Sequence, residues 1–539
     1  MDASPLHYLV ESWINKSADV LDADLCIYGG TAAGVIAAVA ARQVGLRVVL
    51  LHPGWVLGGM TTGGLSFTDV GNKEAIGGLA RQFYRDMAAH YQVKDPAYSK
   101  TEAWNFEPHV AQRIVDGYID VQGIPVFLRQ YLEQVEGSIH NGRSYIRKVY
   151  LLGGLSVKAK VFIDATYEGD LMAKAGVSYT IGREGNAMYG ETLNGFQLYP
   201  THQFDCDVDP YCQEGSPESG LLPGLSLCLS LIGAEVGQRS GSGDRRVQAY
   251  NFRVAMSDDS ENQVPFPKPE GYDPLDYELC ARWLRGTHAD VFRKFDRITP
   301  HKTDTNNHGA FSTDYIGGSY GWSEGDYIER ERIFQAHVNY QQGLHWFMTH
   351  DQRVPEPVQR EYARWGLAKD EFVETGGWPH QLYIREARRM VADYVVTEGD
   401  CRQARECSDS VGMGAYGMDS HNTQRLLVDG FVRNEGDVQQ PLSRPYPISY
   451  RAILPRQGEC ANLFVPLAVS ASHIAFGSLR MEPVFMILAE SAVMAAAIAI
   501  ERDIPAQSVP YGDLHRLLLG RGQVLASTAP TVGTGNIES

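Results

Sequence analysis

Residues 24–52 read DLCIYGGTAAGVIAAVAARQVGLRVVLLH. An apolar run at Leu25–Tyr28 is a strand, Gly29, Gly30, Thr31 and Gly34 make a tight turn, Val35–Gln43 is a helix of small residues, and Leu46–Leu51 is a second strand. This is a strand–turn–helix–strand unit whose glycines open the helix. Gly29 permits the sharp turn, and Gly34 lets helix and strand pack closely. With Ala33, the helix N-terminus turns its N–H groups toward a pyrophosphate. Two positions depart from the usual dinucleotide fingerprint: its middle glycine is Thr31, and the acidic residue that ends the second strand is His52. Imidazole makes at most one weaker ribose contact.

Working outward, residues 58–65 read GGMTTGGL. Gly58, Gly59, Met60, Thr61, Gly63 and Gly64 let the chain run close to a flavin. Residues 161–170 read VFIDATYEGD. There a strand ends in small residues, Ala165 and Thr166, with Asp170 placed to reach a hydroxyl. Together these favour FAD over a nicotinamide cofactor. Gly412, Gly414 and Gly417 also satisfy GxGxxG, but MDSHNTQ follows instead of an apolar helix, so we read a loop and not a second nucleotide site.

The chain has 539 residues, with 48 Lys+Arg against 65 Asp+Glu, a net charge of −17. Such a surface repels phosphate backbones, which argues against nucleic acid as a partner. With 44% hydrophobic and 21% charged residues the composition is globular. The N-terminus lacks a signal-peptide pattern. The longest apolar tract, Phe485–Ile500, carries Glu490 and Ser491 and is shorter than a membrane span requires, so it reads as a buried helix. The eight cysteines are scattered without CxxC, as for reduced cytoplasmic thiols. Cys206 and Cys212 are the closest loop pair.

Further stretches are GGTAAG (29–34), FIDATYEGDLMAKAG (162–176), VQAYNFRV (247–254), VPFPKPEGYDP (264–274), NNHGAFSTDYIGG (306–318), TGGWPHQLYIREARRM (375–390), DSVGMGAYGMDSH (409–421) and SASHIAFGSLRMEPVFMILAESA (470–492). With these the chain resembles the FAD-dependent oxidoreductases related to the fumarate reductase and succinate dehydrogenase flavoproteins. Its nearer likeness is to a bacterial and fungal branch in which some members carry the label "xanthan lyase". The likeness runs over roughly residues 22–505. It implies an α/β fold with a discontinuous Rossmann-like FAD-binding domain (20–190 and 381–510), an inserted substrate domain (191–380) and a tail (511–539). Thr31 fits the branch, whereas His52 stands where the branch has Glu. The loop at 58–65 has Met60 and no His, which implies non-covalent FAD.

In such a protein the chain positions a substrate carbon at the flavin, moves protons and stabilises reduced-flavin charge. The N-terminus of the helix after GSLRMEP, with Met481 and Glu482, is the natural stabiliser. Arg480 either adds charge there or serves an ion pair. His473, His421 and His380 are candidate bases. Tyr383 and Arg385 follow His380. Arg385 and Arg389, one helical turn apart and so able to share a face, either clamp an anionic or polyhydroxylated substrate or hold domains together. His301, Asp304 and His308 match no zinc spacing, and no metal is expected. Tyr315, Tyr320, Trp322, Trp346 and Trp378 either form a sugar-stacking platform or are core. Pro274–Phe295 reads as a helix capped by Asp273. YPISYRAILP (446–455) and ANLFVPLAVS (461–470) read as strands.

The leading expectation is hydride transfer to flavin N5 from a polar small molecule, with a carbohydrate or glycoside CH–OH as the substrate guess. An FAD lyase or isomerase without net redox, or a binding protein with a vestigial flavin site, are the alternatives. Oxygen, a quinone and a partner protein stay open as electron acceptor, and the oligomeric state is open too.

Overall fold

The computed structural model describes residues 6–225, 229–286 and 291–527. The quoted unit forms as read. Strand β1 (Val20–Tyr28) leads through the glycine turn into α1 (Ala32–Gln43), and β2 (Val48–Leu51) returns beside β1. β1 lies parallel to β2 on one side and to β6 (Ser156–Asp164) on the other, with Tyr28 opposite both Leu51 and Asp164. The sheet continues parallel from β2 to β3 (Val126–Phe127) and from β6 to β7 (Leu463–Phe464). It turns antiparallel through β5 (Arg143–Leu151) and β4 (Leu132–His140).

Parallel strands need both faces covered. One face carries α1, whose residues Ala32 through Ala41 are all buried. The small side chains of α1 let it lie against α4 (Pro108–Gln122) and α8 (Glu482–Arg502). At 21 residues and mean hydropathy 2.1, α8 is long and apolar enough to cross a membrane, contrary to the length expected. It is the core helix: 89% of its most apolar window is buried in the protein.

A second, antiparallel sheet runs in the order Gln263–Val264, Gly366–Ala368, Val254–Ser257, Lys302–Thr305, Phe295–Arg297. The long helix α6 (Tyr327–His350) lies in this part of the chain. The helix expected from Pro274 is shorter than read: a 3-10 turn at Pro274–Tyr277 runs into Glu278–Leu284. Asp273 does cap it, accepting from the Leu275 N–H at 2.9 Å. Of the two late strands, Tyr446–Ser449 and Leu463–Phe464 form, and the chain turns through a 3-10 segment at Tyr450–Ile453 between them.

Other expectations are corrected. The second GxGxxG is not a loop: Ser410–Gly414 is a strand paired with Tyr446–Ser449, and Gly412 lets it lie against Ile487 of α8. A strand, Met418–Ser420, follows it. The tail begins with helix α9 (Tyr511–Gly520), which packs on α8, and residues 528–539 lie outside the described part. Residues 381–388 are not helical, so Arg385 and Arg389 do not share a helix face. Arg389 pairs instead with Glu184 at 2.6 Å and Glu386 at 3.2 Å. The seven described cysteines, Cys206 and Cys212 included, are free thiols, and Cys228 lies outside the described residues.

Candidate functional site

The turn after β1 is built by contact with the end of β6. Gly29 has φ +117°, and a Cβ there would stand 2.3 Å from the Ala165 carbonyl carbon. Thr31 stands at the N-cap of α1 in extended backbone, where a β-branched residue is at ease. Its Oγ1 accepts from the Gly34 N–H at 3.2 Å and donates to the Ala165 carbonyl at 2.9 Å. The hydroxyl thus replaces the middle glycine by tying turn, helix and neighbouring strand together. The Gly58 N–H donates to the Gly30 carbonyl at 2.7 Å, which docks the double-glycine loop on the same turn.

Two residues expected at the cofactor are committed elsewhere. His52 Nδ1 accepts from the Gly30 N–H at 2.9 Å, and Nε2 donates to the Val56 carbonyl at 3.0 Å. Burial lowers its pKa to about 4, so the ring is neutral with both nitrogens spent. It shapes the turn, and both of its nitrogens are engaged within the protein. Asp170, first residue of α5 (Asp170–Lys174), is likewise spent on Arg330, with bonds of 2.6 and 2.8 Å, and on Arg388 at 2.8 Å. Thr166 lines the nucleotide pocket with Gly29, Thr31 and His52.

The short helix α2 (Gly59–Thr62) is pinned to the start of α8. Tyr167 Oη accepts from the Met60 N–H at 2.9 Å and donates to Glu482 Oε1 at 2.9 Å. Thr61 Oγ1 donates to Glu482 Oε2 at 2.7 Å. Met481 is the N-cap of α8. Gly63 abuts the Gln381 side chain, and Gly64 abuts the Arg253 carbonyl. Burial pushes the Glu482 carboxyl up from 4.5 to about 7, against these hydrogen bonds. Between those values the folded protein holds a proton that the unfolded chain lacks, so stability falls as pH rises across this window. Glu482→Gln is expected to flatten that slope, read by urea unfolding at pH 5 and pH 8. An unchanged slope would show that Glu482 does not titrate there.

Past the double-glycine loop the protein encloses a cavity of about 970 Å³. Tyr383, Arg385, His421 and Arg480 all line it, although they come from separate stretches of the chain. His473 and His380 do not. His473 is 2% exposed, with Nδ1 on Glu386 at 2.8 Å and Nε2 on Ser420 at 3.0 Å. It opens α7 (His473–Leu479) as a structural residue. His380 lies on the nucleotide pocket, where burial lowers its pKa to about 3.

In the cavity, charges of opposite sign alternate. Arg385 Nη1 lies 2.8 Å from Asp314, whose other oxygen is 3.1 Å from His421 Nδ1. His421 Nε2 lies 3.2 Å from Asp419 Oδ2, which also accepts from Arg480 Nη2 at 2.6 Å. Burial and Arg385 pull the His421 pKa down, but Asp419 and Asp314 outweigh them and the net shift is upward. Asp419 and Asp314 thus favour the charged, donating form of the ring. Burial alone would raise Asp419, yet His421 and Arg480 hold it well below the usual carboxylate range. The Tyr383 ring stands between Arg253, at 5.3 Å, and Arg385, at 4.9 Å. Asp69 also lines the cavity, accepts from Tyr416 Oη at 3.3 Å, and is raised by burial. The Nε atoms of Arg385 and Arg480 are buried and have no hydrogen-bond partner among the described residues.

Sequence reasoning missed Asp69, Asp314 and Asp419. The last lies two residues before His421, inside the quoted DSVGMGAYGMDSH stretch, and an acid beside a candidate imidazole is a signal that could have found it. The aromatic residues considered for sugar stacking are elsewhere: Trp322 and Trp378 are buried, Tyr315 stacks on Tyr340, Trp346 stacks on His350, and Tyr320 donates to the Thr423 carbonyl. Asp304 is spent on Arg253, and His301 pairs with Asp258. A cluster of Glu107, His109, Asp370 and Glu371 is filled by the Lys302 ammonium, 2.6–2.8 Å from its three carboxylates.

A parallel sheet whose glycine turn docks a double-glycine loop, with a charged cavity beyond it, defines a dinucleotide-dependent α/β enzyme. The family model described as "FAD dependent oxidoreductase" matches residues 24–518. The chain belongs to that family, and its cofactor is FAD. No curated protein sequence matches it. Among solved structures it is similar to THI4 of Thermovibrio ammonificans (20% identity, 30% of this chain and 66% of that one, TM-score 0.22). It is also similar to a flavin-containing monooxygenase from Stenotrophomonas maltophilia (17% identity, 31% and 43%, TM-score 0.19). The L-amino acid deaminase of Proteus vulgaris is a third (14% identity, 32% and 55%, TM-score 0.23). The chain spans between 43% and 66% of the length of these three.

Proposed function

We propose that the protein oxidises a neutral, polyhydroxylated small molecule, a carbohydrate or glycoside, at a CH–OH carbon in the 970 Å³ cavity. The observation that carries this reading is that Arg385 and Arg480 line the cavity already paired with Asp314 and Asp419, each with an Nε that has no hydrogen-bond partner among the described residues. A bare cationic wall selects an anion. A paired one keeps hydrogen-bonding capacity without surplus charge, which suits hydroxyl groups.

FAD, held non-covalently, supplies the chemistry when bound: a two-electron acceptor whose N5 takes a hydride. Arg385 and Arg480 offer guanidinium N–H groups from the cavity wall to ligand oxygens and orient them. His421, held between Asp314 and Asp419, lines the same wall. The group suited to take the hydroxyl proton is Asp69, because its burial brings a carboxylate nearer the working range of a base.

Anaerobic addition of sugars, glycosides and hydroxy acids tests this by bleaching of the flavin band. A neutral sugar or glycoside is expected to bleach it, and bleaching by hydroxy acids alone would overturn the reading. Product formed without bleaching would favour a reaction without net redox. Asp69→Asn and Arg480→Met are each expected to slow bleaching on the order of 10²-fold or more while FAD stays bound.

A further inference from the structure

The nucleotide pocket has a wall that the strand–turn–helix does not supply. His7 and Tyr8 line it, opposite Gly29, Thr31 and Thr166. They belong to the segment before β1, which carries no dinucleotide motif. This segment is fastened to α6 through Glu331, which takes the most bonds, together with Gln335 and Arg330. Glu331 Oε2 accepts from the backbone N–H of Tyr8 at 2.6 Å and of Leu9 at 2.8 Å, and its Oε1 lies 2.5 Å from His7 Nδ1. The Tyr8 ring then packs edge-on against Trp322, with centroids 5.0 Å apart, and its carbonyl accepts from Tyr131 Oη at 2.7 Å.

A second observation points to a ligand in this pocket. His380 Nε2 is buried there with no hydrogen-bond partner among the described residues, its ring packed against Trp55 at 5.7 Å and Phe372 at 5.8 Å. His52, at the usual ribose-binding position, has no nitrogen left to offer. The space between these walls is narrow, about 60 Å³, room for a few water molecules. The strand ends and α1 are fixed by the sheet and the core, whereas the N-terminal segment is held by side chains: Glu331, with Gln335 on the Leu6 carbonyl at 2.7 Å, Arg330 on Tyr8 Oη at 3.3 Å and Tyr131 on the Tyr8 carbonyl.

We infer that residues 6–9 are a retaining strap of the FAD site, closing over the nucleotide half of the cofactor and latched by Glu331. FAD then enters and leaves only as the latch opens. This rests on the cofactor and not on the proposed substrate.

The test is the rate of FAD release from the holoenzyme, followed by the rise in free-flavin fluorescence on dilution. Glu331→Gln weakens a carboxylate that takes two backbone N–H groups, and Tyr8→Ala removes the ring that packs on Trp322. Each is expected to speed release about tenfold, and Arg332→Ala, an exposed neighbour on α6, to leave it unchanged. Release within twofold of the unaltered protein in both strap variants would overturn the strap. Should either variant fail to fold, hydrogen exchange of the unaltered protein decides. The Tyr8 and Leu9 amides are expected to exchange more slowly with FAD bound, and equal exchange with and without FAD would overturn the proposal. An unaltered protein that binds no FAD would instead overturn the assignment of the cofactor.

Discussion

Gly34→Ala is expected to abolish FAD binding, weakening it by at least 100-fold as read by flavin fluorescence titration. A Cβ at this position would stand 1.9 Å from the Gly29 carbonyl oxygen and 3.3 Å from the Ala165 Cβ. The neighbour at 1.9 Å is backbone, held at φ +117° between two strands of the sheet, so it cannot swing aside as a flexible side chain does. The helix must retreat instead. That retreat takes Thr31 off Ala165, pulls the N-terminal N–H groups of α1 away from the turn, and loosens the contact of α1 with α8. Overpacking of this kind typically costs about 1–3 kcal/mol, and the lost cofactor removes its own stabilisation as well. Gly117→Ala is the matched control. Gly117 lies within α4 with nothing near its would-be Cβ, so the same substitution there is expected to stabilise by about 0.5–1 kcal/mol. Full FAD affinity in Gly34→Ala would show that α1 does not seat as described.

Asp170→Asn is expected to destabilise the protein by about 3–5 kcal/mol, the cost of leaving a buried charge unpaired. Arg330 is 1% exposed and takes both oxygens of Asp170, and Arg388 shares one of them. Burial alone would raise this carboxyl, but the two arginines outweigh it and hold it at about 2. A depressed carboxylate contributes its stability above its unfolded pKa of about 3.9 and loses it as pH falls toward the folded value. Urea unfolding at pH 7 and at pH 3 therefore separates the two proteins at neutral pH and brings them closer in acid. Arg330 also donates to Tyr8 Oη at 3.3 Å, so Asp170→Asn is expected to loosen the N-terminal segment too. A loss below 1 kcal/mol at pH 7 would mean that the two guanidinium groups find water once the carboxylate is gone.

Much of this protein was legible before folding, because the signals are local. Gly29 and Gly34 mark a turn whose requirement is steric and set by chain neighbours. The apolar runs around them have strand and helix periods. The double glycine at 58–59, the small residues at 165–166 and the apolar helix after Pro483 carry the cofactor assignment in the same way. What misled was also local. His52, Asp170 and His473 have the right chemistry at plausible positions, but a residue type does not say whether its polar atoms are already used.

The sequence by itself determined the strand–turn–helix–strand unit, from spacing within some thirty residues, and its cofactor and family, from short local stretches spread along the chain. Only the tertiary structure decided which side chains face an open cavity. Asp314, His421, Asp419 and Arg385 meet across more than a hundred residues of chain, and their protonation follows from that meeting. Asp170 and His473 are likewise engaged by partners distant in the chain, Arg330 and Glu386. Burial and pairing set the charge of a titratable group, and both are properties of the packed chain.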